Sequence, residues 1–381
     1  MSVHTQFAKK FETPEELNAH REQAQAQLHA SIESGEIQAE VLGVDKKATD
    51  VGANQIQPKQ SFSTIRQGNA TNALTKLRAV EGKTATIDAI TGTATITNGN
   101  FILTIPNYAS LSGLRTSTCQ LLDAITVALT ETGAKSPSVV IPLSAYMERR
   151  GLKDRKEAKN QARADMEVLR QASITGEEKR GKNTQTYSFV NIADSGEIKR
   201  NGDIVFTFGN TFYQMLLGYP VMPYPAQLQT INSKRNPNSY YLLRKIAEHK
   251  NMNIGKANED IIAVKTLLSV APYIPSYEEV MATDKHTDQR IVKPFERDMD
   301  ALAETLSWEY CHTNGQPLQD EELQNTGYAL VKNLLVKVSW KDYPDQTARL
   351  ERKAERIAEA KAKKPRKTAS KKKPTKEAPT G

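Results

Sequence analysis

The sequence predicts an α+β protein organised around two long amphipathic helices. Apolar residues recur every three or four positions over residues 154–172 and again over 288–304. Each stretch follows a short predicted helix and precedes strand-like segments separated by turn residues. With 38% apolar and 25% charged residues, the chain has enough apolar material for a packed core and leaves room for disordered ends.

The net charge of +8 is concentrated at one end of the chain. Residues 349–381 contain 13 Lys or Arg and four Glu, so the remainder of the chain is close to neutral. A segment rich in Lys, Pro and Ala is expected to be a disordered basic arm.

Membrane, secreted and metal-bound classes are disfavoured. No apolar run approaches the roughly 18 residues of a membrane span, and the N-terminus lacks the apolar centre of a signal peptide. Cys119 and Cys311 are far apart, so neither a disulfide framework nor a zinc site is indicated. We expect a soluble, cytoplasmic, nucleoid-associated protein without metal or cofactor.

The N-terminal part predicts a helix that starts at Thr13-Pro14-Glu15-Glu16 and runs to about residue 34, followed by a polar linker. A Thr-rich stretch over 84–105 alternates between apolar and polar residues around Asn98-Gly99. This pattern predicts a β-hairpin.

From residue 114 the predicted elements follow in a defined order. They are a helix (114–129), a short strand (138–142), a short helix (144–150) closed by Gly151, the long helix (154–172) and a hairpin. The hairpin is expected to pair 185–192 with 203–208 around a turn at Asp194-Ser195-Gly196. This order is typical of a winged helix-turn-helix domain, whose second helix enters the DNA major groove while the hairpin touches the backbone.

A similar order returns after a Pro-rich passage. Helices are predicted over 239–249, 261–270 and 276–281, then the long helix over 288–304, and finally strands over 307–312 and 334–340 around Asn314-Gly315. Pro294 is expected to bend or restart the long helix, because proline removes a backbone donor.

The predicted fold class is therefore α+β, with two winged helix-turn-helix domains in tandem and disordered N- and C-terminal extensions. The expected organisation is an accessory helix and linker (1–62), the first winged-helix domain (63–218), a linker (219–238), the second winged-helix domain (239–345) and a basic helical or disordered tail (346–381).

Both long helices present charged faces opposite their apolar stripes. On the first, Lys156, Lys159, Asn160 and Arg163 face outward, and Arg149, Arg150 and Lys153 precede them. Arg155 falls nearer the core edge and is the weaker candidate. On the second, the candidates are Gln289, Arg290, Lys293 and Arg297. Lys and Arg suit guanine or phosphates and Gln suits adenine, which predicts DNA contact; solvated faces of two ordinary amphipathic helices are the alternative.

Basic residues near the hairpin turns are further candidates for phosphate contacts. Lys179, Arg180 and Lys182 precede the strand predicted at 185–192, and Lys199 and Arg200 lie near its other turn. No enzyme is indicated, because the six histidines form no metal-binding pair and Gly82-Lys83-Thr84 lacks the upstream glycine of a phosphate-binding loop.

Two stretches give the chain a family resemblance: Ile141-Pro142-Leu143-Ser144 through Leu169, and Asn238-Ser239-Tyr240-Tyr241-Leu242-Leu243-Arg244 through Leu302. Over residues 63–342 the chain resembles the theta-type replication initiators of plasmids and related mobile elements. The resemblance implies binding to repeated double-stranded origin sequences, opening of adjacent AT-rich DNA and recruitment of host replication proteins. It also implies homodimers that repress their own gene and monomers that initiate replication. A transcriptional regulator, or an origin nickase or primase with an unrecognised site, are the alternatives.

Overall fold

The computed structural model describes residues 61–68, 70–72, 85–98, 101–106, 115–180, 183–283, 286–323, 327–348, 350, 351 and 355. All belong to one of the two units into which the chain divides, Lys59–Gly381. The helix predicted over 13–34, and most of the tail predicted over 346–381, lie outside the described residues.

The first half of the described chain is a mixture of helices and antiparallel strands. Its elements are β1 (Phe62–Arg66), β2 (Ala85–Ile87), β3 (Ala94–Asn98), β4 (Phe101–Ile105), α1 (Thr116–Glu131), β5 (Ser138–Ile141), α2 (Leu143–Arg150), α3 (Arg155–Gln171), β6 (Ser173–Arg180), β7 (Asn183–Asn191), β8 (Ala193–Ile198), β9 (Ile204–Phe208) and α4 (Asn210–Gly218).

The second half continues in the same mixed style. Its elements are β10 (Val221–Pro225), α5 (Gln227–Thr230), α6 (Ser239–Asn253), β11 (Ile261–Ala263), α7 (Val264–Leu268), α8 (Tyr277–Thr283), a π-helical turn (Asp288–Val292), α9 (Lys293–Asp300), β12 (Leu306–Cys311), α10 (Asp320–Leu323), α11 (Tyr328–Val331) and β13 (Leu335–Trp340).

Two stretches share one sheet topology and a similar order of elements, apart from β6 and β7 in the first and α10 and α11 in the second. The first module, α1 to β9, has a three-stranded antiparallel sheet in the order β5–β9–β8. The second module, α6 to β13, has a three-stranded antiparallel sheet in the order β11–β13–β12. In both, a helix precedes the first strand, two or more helices separate it from the second, and the last strand lies in the middle of the sheet.

Local sequence explains the first long helix, α3, which confirms the helix predicted over 154–172. Asp154 occupies the N-cap, where its side chain accepts a hydrogen bond from the backbone amide of Glu157 at 2.6 Å. Ala158, Ala162, Met166 and Leu169 form the buried stripe. The preceding helix, α2, ends at Gly151 as predicted, because this residue adopts the left-handed conformation with a φ of 59°.

The predicted pairing of residues 185–192 with 203–208 is wrong. β9 pairs with β8, whereas β7 pairs with β6 in a separate five-stranded sheet ordered β2–β3–β4–β6–β7. Asp194-Ser195-Gly196, predicted as a turn, lies inside β8, where the register shifts between Ala193 and Ser195. A bulge therefore accommodates residues that are usually found in turns. The hairpin predicted around Asn98 is confirmed, since β3 and β4 pair from Asn98 and Phe101 outward.

Two predictions for the second module change. The apolar run over 261–270, predicted as a helix, begins with strand β11, which pairs with β13 and completes the sheet. The long helix is a π-helical turn that continues as α9, with Pro294 near its N-terminus. The restart predicted at this proline is confirmed, and the helix ends at Asp300, before the predicted residue 304.

α1 contributes apolar side chains to both hydrophobic cores. Leu121 and Ile125 lie in the core of the first module. Cys119 and Val127 lie in the core formed mainly by the second module. The helix therefore belongs structurally to both modules.

A buried polar joint reinforces this connection. Asp123 on α1 accepts hydrogen bonds from the hydroxyls of Tyr224 and Tyr240, at 2.9 and 2.7 Å. Its Oδ1 lies 2.5 Å from Nη1 of Arg244 on α6. Burial opposes the charge of Arg244, but the neighbouring Asp123 carboxylate holds the guanidinium pKa above its usual value. Burial, followed by the charge of Asp123, raises the pKa of both tyrosines.

Candidate nucleic-acid interface

The outward face of α3 carries the predicted basic residues. Lys156, Asn160 and Arg163 are exposed at spacings of four and three residues, so they lie on one side of the helix. Lys159 is half-buried beside them, and Lys153 is exposed just before the helix. The buried stripe on the other side fixes this face toward solvent.

The cations of this face have no anionic partner in the described part of the chain. Lys153, Lys156, Lys159 and Arg163 make neither an ion pair nor a side-chain hydrogen bond there. Glu167, one turn beyond Arg163, is paired instead with Arg170 at 2.6 Å. The hydrogen bond from Arg170 is the main cause that lowers the pKa of Glu167. The positive charge near the N-terminal half of α3 is therefore available to an anionic ligand.

The tip between β8 and β9 adds two exposed cations, Lys199 and Arg200. The tip is a tight turn, in which the amide of Lys199 donates to Asp203 O at 2.9 Å and the amide of Gly202 donates to Lys199 O at 2.8 Å. Arg155, at the start of α3, donates from Nη2 to Asn201 O at 2.8 Å. The residue considered the weaker candidate in the sequence thus contacts the tip of the hairpin.

A groove runs between α3 and the start of α1, with a volume of about 390 Å³. Its polar lining consists of Arg115, Asp154, Lys156, Glu157, Asn160 and Gln161. Arg115 is exposed and lies at the N-cap position of α1 without a side-chain capping bond. It was missed as a candidate in the sequence, where residue 115 falls in the helix predicted over 114–129 and candidates were sought on the long helices and near the hairpin turns.

Asp165 anchors α3 from below. Its carboxylate accepts hydrogen bonds from the hydroxyls of Ser117 and Thr118 on α1 and from the amide of Gln161. Burial is the main cause that raises the pKa of this carboxyl group, and the three hydrogen bonds and the charge of Arg150 only partly oppose it. The buried side of α3 is therefore held against α1 by hydrogen bonds.

Arg149 and Arg150 are not part of the exposed face. Arg149 is largely buried, pairs with Glu131 at 3.6 Å, and has its pKa lowered chiefly by burial. Arg150 donates to Ser117 O at 3.2 Å and lies 5.8 Å from the ring centre of Tyr146. Both residues brace α2 against α1, and their contact with DNA stays a prediction.

Two of the cations predicted near the hairpin of the first module, Lys179 and Arg180, belong to a different sheet. Lys179 and Arg180 end β6, where Arg180 pairs with Asn183 of β7 in the five-stranded sheet. Lys182 lies outside the described residues. These residues are therefore not on the hairpin that follows α3 in the three-stranded sheet, where Lys199 and Arg200 lie.

In the second module, the candidate residues are exposed, but one of them also pairs with a buried carboxylate. Gln289, Arg290 and Lys293 are exposed along the π-helical turn and the start of α9. Arg297 is also exposed, but its Nε and Nη2 donate to Oδ1 of the fully buried Asp298, at 2.9 and 2.8 Å. The other oxygen of Asp298 accepts from the backbone and side chain of Asn238, before α6. Arg297 thus compensates a buried charge.

No short hairpin tip follows the second long helix. The connection between β12 and β13 spans residues 312–334 and contains α10 and α11. It folds back on the helix, where the amide of Tyr328 donates to Oδ1 of Asp288 at 2.9 Å. Tyr328 also stacks on Tyr277 with ring centres 5.0 Å apart, and Lys332 lies near both rings. The two modules therefore differ in this connection, and also in the β6–β7 pair that follows the long helix of the first module only.

No protein-family model matches the chain, and none of the curated proteins compared with it matches. Among solved structures, domains 2 and 3 of RctB match with 10% identity, 71% of this chain and 98% of that chain covered, and a TM-score of 0.39. A second structure of RctB domains 2-3 gives 10% identity, 72% and 97% coverage, and a TM-score of 0.35.

A further similar structure is the WH1 domain of MSBI1.176, a replication protein isolated from a multiple sclerosis patient. It has 15% identity, covers 32% of this chain and 90% of that chain, and gives a TM-score of 0.23. With identities of 10–15% and TM-scores below 0.5, these similarities assign no family to the chain.

Membrane-spanning and metal-binding features are both missing from the described ranges. No helix there is both long and apolar enough to pass through a bilayer. Nor do three or more His, Cys, Asp or Glu side chains come together there in a group that would hold a metal ion.

Proposed function

We propose that the protein is a sequence-specific, double-stranded DNA-binding replication initiator of a plasmid or mobile element, without a catalytic site of its own. Two winged helix-turn-helix domains in tandem would form its DNA-binding part. The strand order and the similar order of elements in the two modules support this assignment. In a winged helix-turn-helix domain, the second helix of the motif and the hairpin lie against DNA.

One observation carries the proposal: cations without an anionic partner among the described residues surround an exposed amide on α3. Lys156, Lys159 and Arg163 flank Asn160, and the tip with Lys199 and Arg200 is tied to the same end of the helix. Lys and Arg bind phosphates and guanine edges, whereas Asn is suited to pair with adenine. A helix with this face is equipped both to hold the DNA backbone and to read bases.

The second module would make the smaller contribution. Gln289 and Lys293 offer one amide and one cation on the exposed face. Arg297 is already engaged by the buried Asp298. We therefore expect the second helix to add contacts to a site that the first helix selects.

The initiator role rests on the tandem arrangement and on the family resemblance described above. It implies repeated origin sequences, host replication proteins and a homodimer as partners. Direct repeats of about 20 base pairs beside the gene would favour an initiator, whereas a single palindromic operator would favour a transcriptional regulator. Metal-dependent nicking of single-stranded origin DNA would favour an enzyme.

The DNA-binding face is tested with a Lys156→Gln/Arg163→Gln variant on DNA flanking the gene, by footprinting and by titration at several salt concentrations. Loss of two phosphate contacts should reduce the slope of log K against log salt by about 2. A base contact should in addition cost about 1–3 kcal/mol on specific DNA only. The matched control is Arg170→Gln/Lys337→Gln, which removes two cations that are paired with carboxylates.

Equal affinity, protection and salt slope for wild type and Lys156→Gln/Arg163→Gln would contradict the assignment of α3. A Gln289→Ala/Lys293→Ala variant tests the second helix separately. It should weaken protection at one edge of the site while the contacts of the first module remain.

A further inference from the structure

The tip between β8 and β9 is fixed to the start of α3 by a direct contact. Arg155 Nη2 donates to Asn201 O at 2.8 Å. Asn201 in turn donates from its side chain to Asp203 at 2.7 Å and accepts from the amide of Asp203 at 3.0 Å. The turn is thus closed within itself and held by a side chain of the helix.

The glycine in this turn shows how closely the two elements approach. Gly202 has a φ of 103°, which L residues with side chains rarely adopt. A Cβ at this position would lie 2.9 Å from Nη2 of Arg155 and 3.3 Å from Leu143 on α2. Glycine at this position therefore allows the tip to approach the two helices this closely while Arg155 keeps its hydrogen bond.

The strand that leads to the tip is also seated on α3. Gly196 in β8 lies so close that a Cβ there would be 3.1 Å from the sulfur of Met166. The hairpin therefore contacts α3 at two points, one near the middle of the helix and one at its start. Its tip cations, Lys199 and Arg200, are carried at a fixed position relative to Lys156 and Asn160.

We propose that Arg155 is a positioning residue for sequence discrimination, which holds the tip so that the phosphates bound by Lys199 and Arg200 set the register of α3 over the bases. The inference rests on the proposed function. Phosphate contacts carry no sequence information themselves, but they orient the protein on the duplex. Because the tip is held at a fixed position relative to α3, the phosphates that the tip binds determine which base pairs lie opposite Lys156 and Asn160.

The tie predicts a specific pattern of couplings. Arg155→Gln should lower the ratio of specific to random DNA affinity by about fivefold or more, the size of one misplaced base contact. In a protein that already carries Lys199→Gln/Arg200→Gln, the same substitution should change this ratio by less than about twofold, because the phosphate contacts that Arg155 positions are gone. Arg155→Lys, which keeps a cation and a donor, should retain part of the ratio.

The experiment is a double-mutant cycle in the full chain, with affinities for specific and random duplexes measured at several salt concentrations. Unfolding of each variant in urea shows whether the fold is kept. Gly202→Ala disturbs the same contact from the other side, and it should lower the specificity ratio as Arg155→Gln does.

Three results decide the inference. A loss of discrimination that disappears in the Lys199→Gln/Arg200→Gln background supports it. An effect of Arg155→Gln that is undiminished in that background, with a salt slope lower by about 1, means that Arg155 contacts a phosphate itself and overturns it. An unchanged ratio also overturns it.

Failure of the tie is distinguishable from failure of the proposed function. If Lys156→Gln/Arg163→Gln weakens binding but Arg155→Gln changes nothing, the helix binds DNA and only the positioning role is wrong. If both leave binding unchanged, the DNA-binding face of α3 itself is wrongly assigned.

Discussion

Thr118 on α1 donates a hydrogen bond to Oδ1 of Asp165 on α3 at 2.7 Å, in the buried space between the two helices. Ser117 donates to the same oxygen at 3.0 Å, and Gln161 donates to the other oxygen at the same distance. The helix proposed to read DNA is therefore held by a titratable group whose pKa is raised by burial.

The first prediction concerns the pH dependence of this anchor. Because the folded-state pKa of Asp165 lies above the unfolded value, the folded protein binds more protons between these two values, and stability falls as pH rises through that window. Relative to Asp165→Asn, the wild type should therefore gain stability as pH is lowered from about 7 toward about 4. Urea unfolding of both proteins at several pH values measures this difference.

Glu167→Gln is the matched control on the same helix. The folded-state pKa of Glu167 is lowered, so its contribution is present above the unfolded pKa and is lost as pH falls. The pH dependence of this pair of proteins should have the opposite sign. A difference for Asp165→Asn that follows the sign of Glu167→Gln would contradict the assignment.

The second prediction concerns the joint between Asp123 and Arg244. Arg244→Met leaves a buried carboxylate without its cation and should lower the free energy of unfolding by about 3–5 kcal/mol. Asp123→Asn/Arg244→Met should cost less, because the uncompensated charge is gone while an acceptor for Tyr224 and Tyr240 remains. The exposed pair gives the control: Arg170→Met should leave the free energy of unfolding close to that of the wild type, because solvent screens the pair. A double variant less stable than Arg244→Met would count against the ion pair.

The third prediction compares two glycines with positive φ. Gly151 has a φ of 59°, and a Cβ at this position would meet no atom within 4 Å, so Gly151→Ala should cost about 1 kcal/mol through the backbone alone. Gly202→Ala should cost more, since the added carbon also meets Arg155 and Leu143. Thermal or urea unfolding gives the order. Equal costs would mean that the tip moves away freely.

The fourth prediction concerns the basic tail. A chain ending at Arg356 loses nine Lys or Arg and keeps Leu350, which packs near Gly255. Affinity for specific and random DNA should fall together, and the salt dependence should become shallower, because the lost contacts are electrostatic. The ratio of the two affinities should be retained. A truncated chain that no longer discriminates would assign sequence recognition to the tail.

Local sequence was sufficient for elements whose ends carry their own chemistry. Asp154 caps α3, Gly151 ends α2 and Pro294 restarts the second long helix, and all three were predictable from residue type. In each case the interaction is formed within a few residues, so no knowledge of the tertiary contacts is needed.

At two places, pairing between strands remote in sequence gave a secondary structure different from the one that local sequence predicted. Asp194-Ser195-Gly196 has the composition of a turn, but pairing with β9 keeps it in a strand with a bulge. Ile261 begins an apolar run that suits a helix or a strand equally, and its pairing with Lys337 decides the outcome.

The candidate site shows the same division. Helical spacing predicted that Lys156 and Arg163 face outward. Arg149 and Arg150 instead contact Glu131 and Ser117, which are remote in sequence, so these contacts could not be predicted from spacing. The contact of Arg155 with the hairpin tip could not be predicted, because residue type places the turn at Asp194-Ser195-Gly196 and not at the true tip.

The two-sided packing of α1 limits how this protein can be divided or diversified. Leu121 and Ile125 complete one interior, and Cys119 and Val127 complete the other. A fragment that starts after the Pro-rich passage would lack α1, and its hydrophobic core would be incomplete on the side that Cys119 and Val127 cover. We therefore expect the two halves to unfold in a single thermal transition. We also expect that recombination can exchange either half between related proteins only if the face of α1 that packs against it is exchanged as well.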